Sequence, residues 1–161
     1  MVERAPDSMV AVAERIARAA HRGQTDKAGG PYIAHPAHVA AQVAAEGAGQ
    51  AAQCVAWLHD VVEDTAATLD DLRAAGLPEE VVEAVDAMTR RPDEDYFAYI
   101  ERVRANPLAT VVKLADLAHN MDLSRLPDIR PRDLERQEKY RRAVEILTRE
   151  GQREQINGCA L

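Results

Sequence analysis

The segment "PLATVVKLADLAHNMD", Pro107 to Asp122, constrains the fold more than any other stretch of the chain. Read at about 100° per residue, Val111, Val112, Leu114, Ala115, Leu117, Ala118 and Met121 cover most of a helical circumference, the pattern of a helix buried nearly all round. Lys113, Asp116 and Asn120 occupy the narrow strip that remains. A buried carboxylate is costly unless it is paired or bound to a cation, so Asp116 needs a partner. Lys113, at i,i+3, is able to supply one by itself.

The rest of the chain offers further helices to surround it. "SMVAVAERIARAAH" starts at an Asp7 or Ser8 cap, and "PAHVAAQVAAEG" runs from Pro36 at a first helical position to Gly47. "QAAQCVAWLHDVVEDT" follows almost at once. "TLDDLRAAG" has Thr68 as cap and Gly76 as stop, and "PEEVVEAVDAMTRR", "DEDYFAYIERVRA" and "PRDLERQEKYRRAVEILTREG" complete the set. No run alternates with the period of a strand. Hydrophobic residues make up 47% and aromatics only 4%, so alanine, valine and leucine do most of the filling. The expectation is an all-α fold, one domain over residues 1–161.

Charge and cysteine content narrow the function. A net charge of −7 with no Lys/Arg run argues against a nucleic-acid polymer as partner, and an anionic substrate has to be held by a few local cations or a metal. Cys54 and Cys159 are too few for a disulfide framework, and no apolar run is long enough for a leader or a bilayer span. These features predict a soluble, cytoplasmic protein with no membrane partner.

On a helix over Gln50 to Thr65, Ala51, Cys54, Val55, Leu58 and Val62 form an apolar stripe. His59, Asp60, Glu63 and Asp64 lie opposite, stacked as the i,i+4 pairs His59/Glu63 and Asp60/Asp64. By itself that face reads equally well as solvated acid or as a cation site. The loop "HRGQTDKAGGPYIAHP" adds His35, which Pro36 is expected to hold just outside a helix start. His21, His38 and His119 read as structural or surface residues, and Tyr32 as a packing residue. Together His35, His59, Asp60 and Asp116 offer two imidazoles and two carboxylates, a set suited to Mn2+, Fe2+ or Zn2+ rather than Ca2+.

Three stretches in this order, "HRGQTDKAGGPYIAHP", "WLHDVVEDT" and "VKLADLAHNM", resemble the HD-domain phosphohydrolases, and among them the hydrolase domain of the RelA/SpoT family and its small stand-alone homologues. The resemblance spans His21 to Leu147. It implies an all-α HD fold holding one divalent metal, most often Mn2+ with Fe2+, Zn2+ and Mg2+ as alternatives, on His35, His59, Asp60 and Asp116. It further implies Glu63 and Asp64 as catalytic acids and Lys27 and Asn120 as contacts to a small phosphorylated nucleotide. The reaction implied is release of pyrophosphate from the 3′ position of guanosine tetra- or pentaphosphate.

Three positions depart from that pattern. Asp26 and Ala28 stand where the long relatives commonly carry an arginine that packs on guanine and a serine, and Leu117 replaces a common arginine. An aspartate offers no cation–π surface, so NADPH or a nucleoside monophosphate competes as substrate. A non-catalytic nucleotide sensor and a helical scaffold with an internal ion-pair network are the remaining alternatives. The short chain after "VEILTREG" predicts hydrolysis without synthesis.

Overall fold

The structure, a computed structural model, describes residues 7–149. They form α1 (Met9–Ala20), α2 (Ala34–Ala45), α3 (Gln50–Leu58), α4 (Val61–Asp64), α5 (Leu69–Ala74), α6 (Glu79–Met88), α7 (Tyr96–Arg104), α8 (Pro107–Asn120) and α9 (Pro131–Thr148), with a 3-10 turn at Leu123–Arg125. Among the described residues the only β-type pairing is a single bridge between Thr25 and Pro31. The all-α expectation holds. Cys54 is buried, and Cys159 lies outside the described residues. No helix among these residues is long and apolar enough to cross a membrane.

Local chemistry sets many of the boundaries. Ser8 accepts a hydrogen bond from Ala11 N at the start of α1, and Thr68 and Asp71 form a reciprocal capping box on α5. Gly47 and Gly76 end their helices at φ of 81° and 87°, a conformation that only glycine adopts without strain.

α8 packs against α2, α3, α6, α7 and α9, which makes it the hub of the bundle. Its burial is nonetheless partial. Ala109, Val112, Ala115, Asp116 and Leu117 are buried, whereas Val111 is 39% exposed and Ala118 also faces solvent. The apolar residues cover more of the circumference than the neighbouring helices do, because α8 also walls an open cleft. α2, α3 and α8 pack on one another in a triangle, with Val39, Val43, Val55, Leu58, Val112 and Leu117 fully buried. Shortening Leu58 to alanine at the end of α3 is expected to cost about 2–5 kcal/mol, read as a lower urea midpoint at unchanged slope.

Two further boundaries differ from the sequence expectation. The helix from Gln50 does not continue to Thr65: it stops at Leu58, and α4 restarts at Val61 after a turn at His59 and Asp60. His35 lies inside α2 rather than before it, and Pro36 occupies the third helical position. The first four N–H groups of a helix lack intrahelical acceptors, so a proline there removes no bond.

Candidate metal centre

Each edge of the α2/α3/α8 triangle carries one part of a polar cluster at its centre. His35 comes from α2, His59 and Asp60 from the turn after α3, and Asp116 from α8. His35 Nε2 lies 2.8 Å from Asp116 Oδ1 and 3.3 Å from His59 Nε2; His59 Nε2 lies 3.1 Å from Asp60 Oδ2 and 3.5 Å from Asp116 Oδ1. His35, His59 and Asp116 are buried. The helix break makes this possible, because consecutive residues of a regular helix point about 100° apart, whereas the turn lets His59 and Asp60 converge.

The donor atoms suit a divalent cation. Metal–ligand bonds of about 2.1 Å keep neighbouring donors about 3 Å apart, close to these separations. Protonation strengthens the argument. His59 Nδ1 donates to the Ala56 carbonyl oxygen at 2.6 Å, so in neutral His59 the Nε2 lone pair points at two carboxylates. A cation bound between them would satisfy all three groups. Without one the imidazole takes a proton: burial opposes its charge, but Asp60 and Asp116 outweigh burial and raise His59 well above its ordinary value. Asp116 is held well below the usual carboxylate range, since Lys113 and the two histidines overcome its burial. Lys113 Nζ lies 2.9 Å from Asp116 Oδ2, so the ion pair anticipated from sequence exists together with the cluster.

Partners outside the donor set hold the donors in place. Tyr32, expected to pack only, donates its hydroxyl to Asp60 Oδ2. His119, read as structural or surface, places Nδ1 2.7 Å from His35 Nδ1 and stacks on that ring and on His38. Asn120 donates to Asp116 Oδ1 at 2.9 Å while also lining the cleft. Tyr32 is three residues before His35, and His119 three after Asp116. Helical spacing on α8 was a legible signal for His119, whereas Tyr32 precedes α2 and reaches Asp60 across the fold.

Glu63 and Asp64, on α4, line the same cleft, a cavity of about 600 Å3. Burial raises both carboxyls above their ordinary values, Asp60 adding to the effect. Glu63 Oε1 accepts a hydrogen bond from Arg90 N at 2.8 Å, which leaves Oε2 free. Sequence reading missed Arg90 because a backbone N–H has no side-chain signature. The α6–α7 loop that presents it is fastened by Arg102, whose guanidinium grips Glu94 through two bonds of 2.8 and 3.0 Å. It also donates to the carbonyl oxygens of Asp86, Ala87 and Thr89.

Lys27 reaches the cleft from the loop before α2. Asp26 builds that loop: its Oδ1 accepts from Ala28 N and Gly30 N, both at 2.9 Å, and Gly29 has φ of 87°. Its carboxylate is thus engaged with the loop backbone. Burial and the facing Arg136 lower the Lys27 ammonium below its ordinary value.

An all-α bundle with a mixed histidine–aspartate cluster suited to a cation at its hub, beside a carboxylate-rich cleft, defines the class. Residues 13–142 match the family described as HD domain, and the chain belongs to that family. It is 35% identical over 144 residues to a GTP pyrophosphokinase of Streptomyces coelicolor, covering 84% of this chain and 16% of that protein. With the bifunctional (p)ppGpp synthase/hydrolase SpoT of Escherichia coli K12 it shares 38% identity over 116 residues, 66% of this chain and 16% of the other. The chain therefore spans about a sixth of the length of the curated relatives it matches. A solved structure described as a metazoan ortholog of SpoT that hydrolyses ppGpp superposes with a TM-score of 0.74 at 24% identity, over 91% of this chain and 89% of that one. That likeness is one of fold.

Proposed function

We propose that this chain is a metal-dependent phosphohydrolase domain, 1–161, that removes pyrophosphate from the 3′ position of guanosine tetra- or pentaphosphate in the cytoplasm. The observation that carries the reading is the convergence of His35, His59, Asp60 and Asp116 beside a cleft lined by His35, Asp60 and Asp116 together with Glu63 and Asp64. The names of the relatives support the substrate.

In this reading His35, His59, Asp60 and Asp116 hold one divalent ion, Mn2+. When bound, such an ion polarises phosphate oxygens and lowers the pKa of water. Glu63, fixed through Oε1, accepts the proton of the attacking water at Oε2, and Asp64 orients that water from the next position. A raised carboxyl pKa brings proton acceptance closer to neutral pH. Lys27, from the loop before α2, and Asn120, from α8, contact the nucleotide in the cleft. Tyr32 and His119 hold Asp60 and His35 in place, as outer partners of metal ligands do.

The test is to purify the protein without chelator, measure bound metal by mass spectrometry, and assay it with Mn2+ against guanosine tetraphosphate, NADPH, and 3′- and 5′-monophosphates. Pyrophosphate released from guanosine tetraphosphate is the expected result. Bound metal with turnover only on another nucleotide keeps the mechanism and replaces the substrate; no metal and no turnover returns the chain to the sensor or scaffold reading. A remote variant probes the positioning of Glu63. Arg102→Met frees the α6–α7 loop and is expected to lower kcat about 10- to 100-fold at unchanged metal affinity, by steady-state kinetics and metal titration.

A further inference from the structure

Beside the main cleft, sharing Asp60, Glu63 and Lys113 with it, lies a smaller chamber of about 180 Å3. α7 and α9 contribute Tyr96 and Lys139, and the α6–α7 loop contributes Arg90. Charge distinguishes the two spaces. In the main cleft four Lys and Arg side chains face seven carboxylates, whereas in the chamber Arg90, Lys113 and Lys139 face only Asp60 and Glu63.

Lys113 is already engaged with Asp116. Arg90 spends its guanidinium on the carbonyl oxygen of Glu94 and lies 5.5 Å from the centre of the Tyr96 ring. The Lys139 ammonium lies 4.5 Å from the same ring. Burial, Arg90, Arg136 and Lys113 all push the Lys139 ammonium below its ordinary value, the mark of cations crowded without a counter-charge. The Tyr96 hydroxyl is buried and has no hydrogen-bond partner among the described residues. Burial moves that phenol up to about 12, so it stays a protonated donor. An unpartnered buried donor is costly, and here it stands beside two cations. All three groups call for one ligand type: a compact anion with several acceptor oxygens.

We propose that this chamber holds the distal phosphoryl group of a diphosphate ester whose proximal phosphorus lies at the His35/His59/Asp60/Asp116 centre. The proposal rests on the phosphohydrolase reading and adds a basis for selecting a diphosphate over a monophosphate. Water oxygen bonds to the proximal phosphorus, the bond from that phosphorus to the sugar oxygen breaks, and the sugar oxygen takes a proton. Pyrophosphate departs with both phosphorus atoms, its distal group still against Lys139, Arg90 and Tyr96.

Calorimetric titration of the Mn2+-supplemented protein with pyrophosphate and with orthophosphate tests this directly. Lys139→Gln is expected to weaken pyrophosphate binding about 10-fold and leave orthophosphate unchanged, and Tyr96→Phe, which removes one oxygen, to weaken it several-fold. In kinetics both variants lose kcat/KM on guanosine tetraphosphate but not on the analogue with a single 3′-phosphate. Equal losses for both anions, no loss, or a wild type that binds neither anion overturns the proposal. If no nucleotide is hydrolysed but pyrophosphate binding still depends on Lys139, the chamber stands and the substrate reading falls.

Discussion

Asp60→Ala protein is expected to purify without its divalent ion and to turn over at less than about a thousandth of the wild-type rate. Asp60 Oδ2 faces the Nε2 atoms of both His59 and His35, at 3.1 and 3.9 Å, so its loss opens the donor set rather than trimming its edge. The fold itself rests on the apolar packing of α2, α3 and α8 and should persist, as circular dichroism will show. Metal analysis and rate fall together. The wild type provides the complementary reading, since Mn2+ at about 100 times its Kd stabilises it by about 2.7 kcal/mol and Asp60→Ala gains nothing. An internal ion-pair network with no cation role predicts equal denaturation curves with and without the ion.

Glu63→Gln separates chemistry from metal retention. The amide oxygen can still accept from Arg90 N, so the side chain keeps its place, but no atom of it accepts a proton at neutral pH. Turnover is expected to fall about 10²- to 10⁴-fold with bound metal unchanged. Wild-type turnover in this variant would remove Glu63 as the proton acceptor and leave that part to Asp64, whose carboxyl is also raised by burial.

The chain of residues behind these two results was legible to different depths. Caps, glycine stops and apolar spacing marked nearly every helix before any coordinates, because such signals act within one turn. The mixed donor set stood out because buried carboxylates and imidazoles are costly anywhere else. Harder to see was the interruption after Leu58, where wheel analysis extended a single helix to Thr65. Apolar periodicity does not register a turn of two residues when burial resumes on the far side at Val61. Arg90 and Arg102 were invisible for another reason: they act on Glu63 through backbone groups of a loop. Asp26, which lacks the guanine-packing surface of the arginine common at its position, proved to be the residue that shapes the Lys27 loop.

Sequence by itself determined an all-α chain with a polar strip on its hub helix, and named the side chains able to hold a cation. These follow from periodicity and residue chemistry, which are local. Tertiary structure alone decided that α2, α3 and α8 meet in a triangle, bringing His35 within 2.8 Å of an aspartate 81 residues away. It also decided that Tyr32 and His119 steady the donors and that Tyr96 and Lys139 enclose a second chamber. Contacts between distant residues depend on how whole helices cross and pack, and that geometry is set by the fit of many side chains at once.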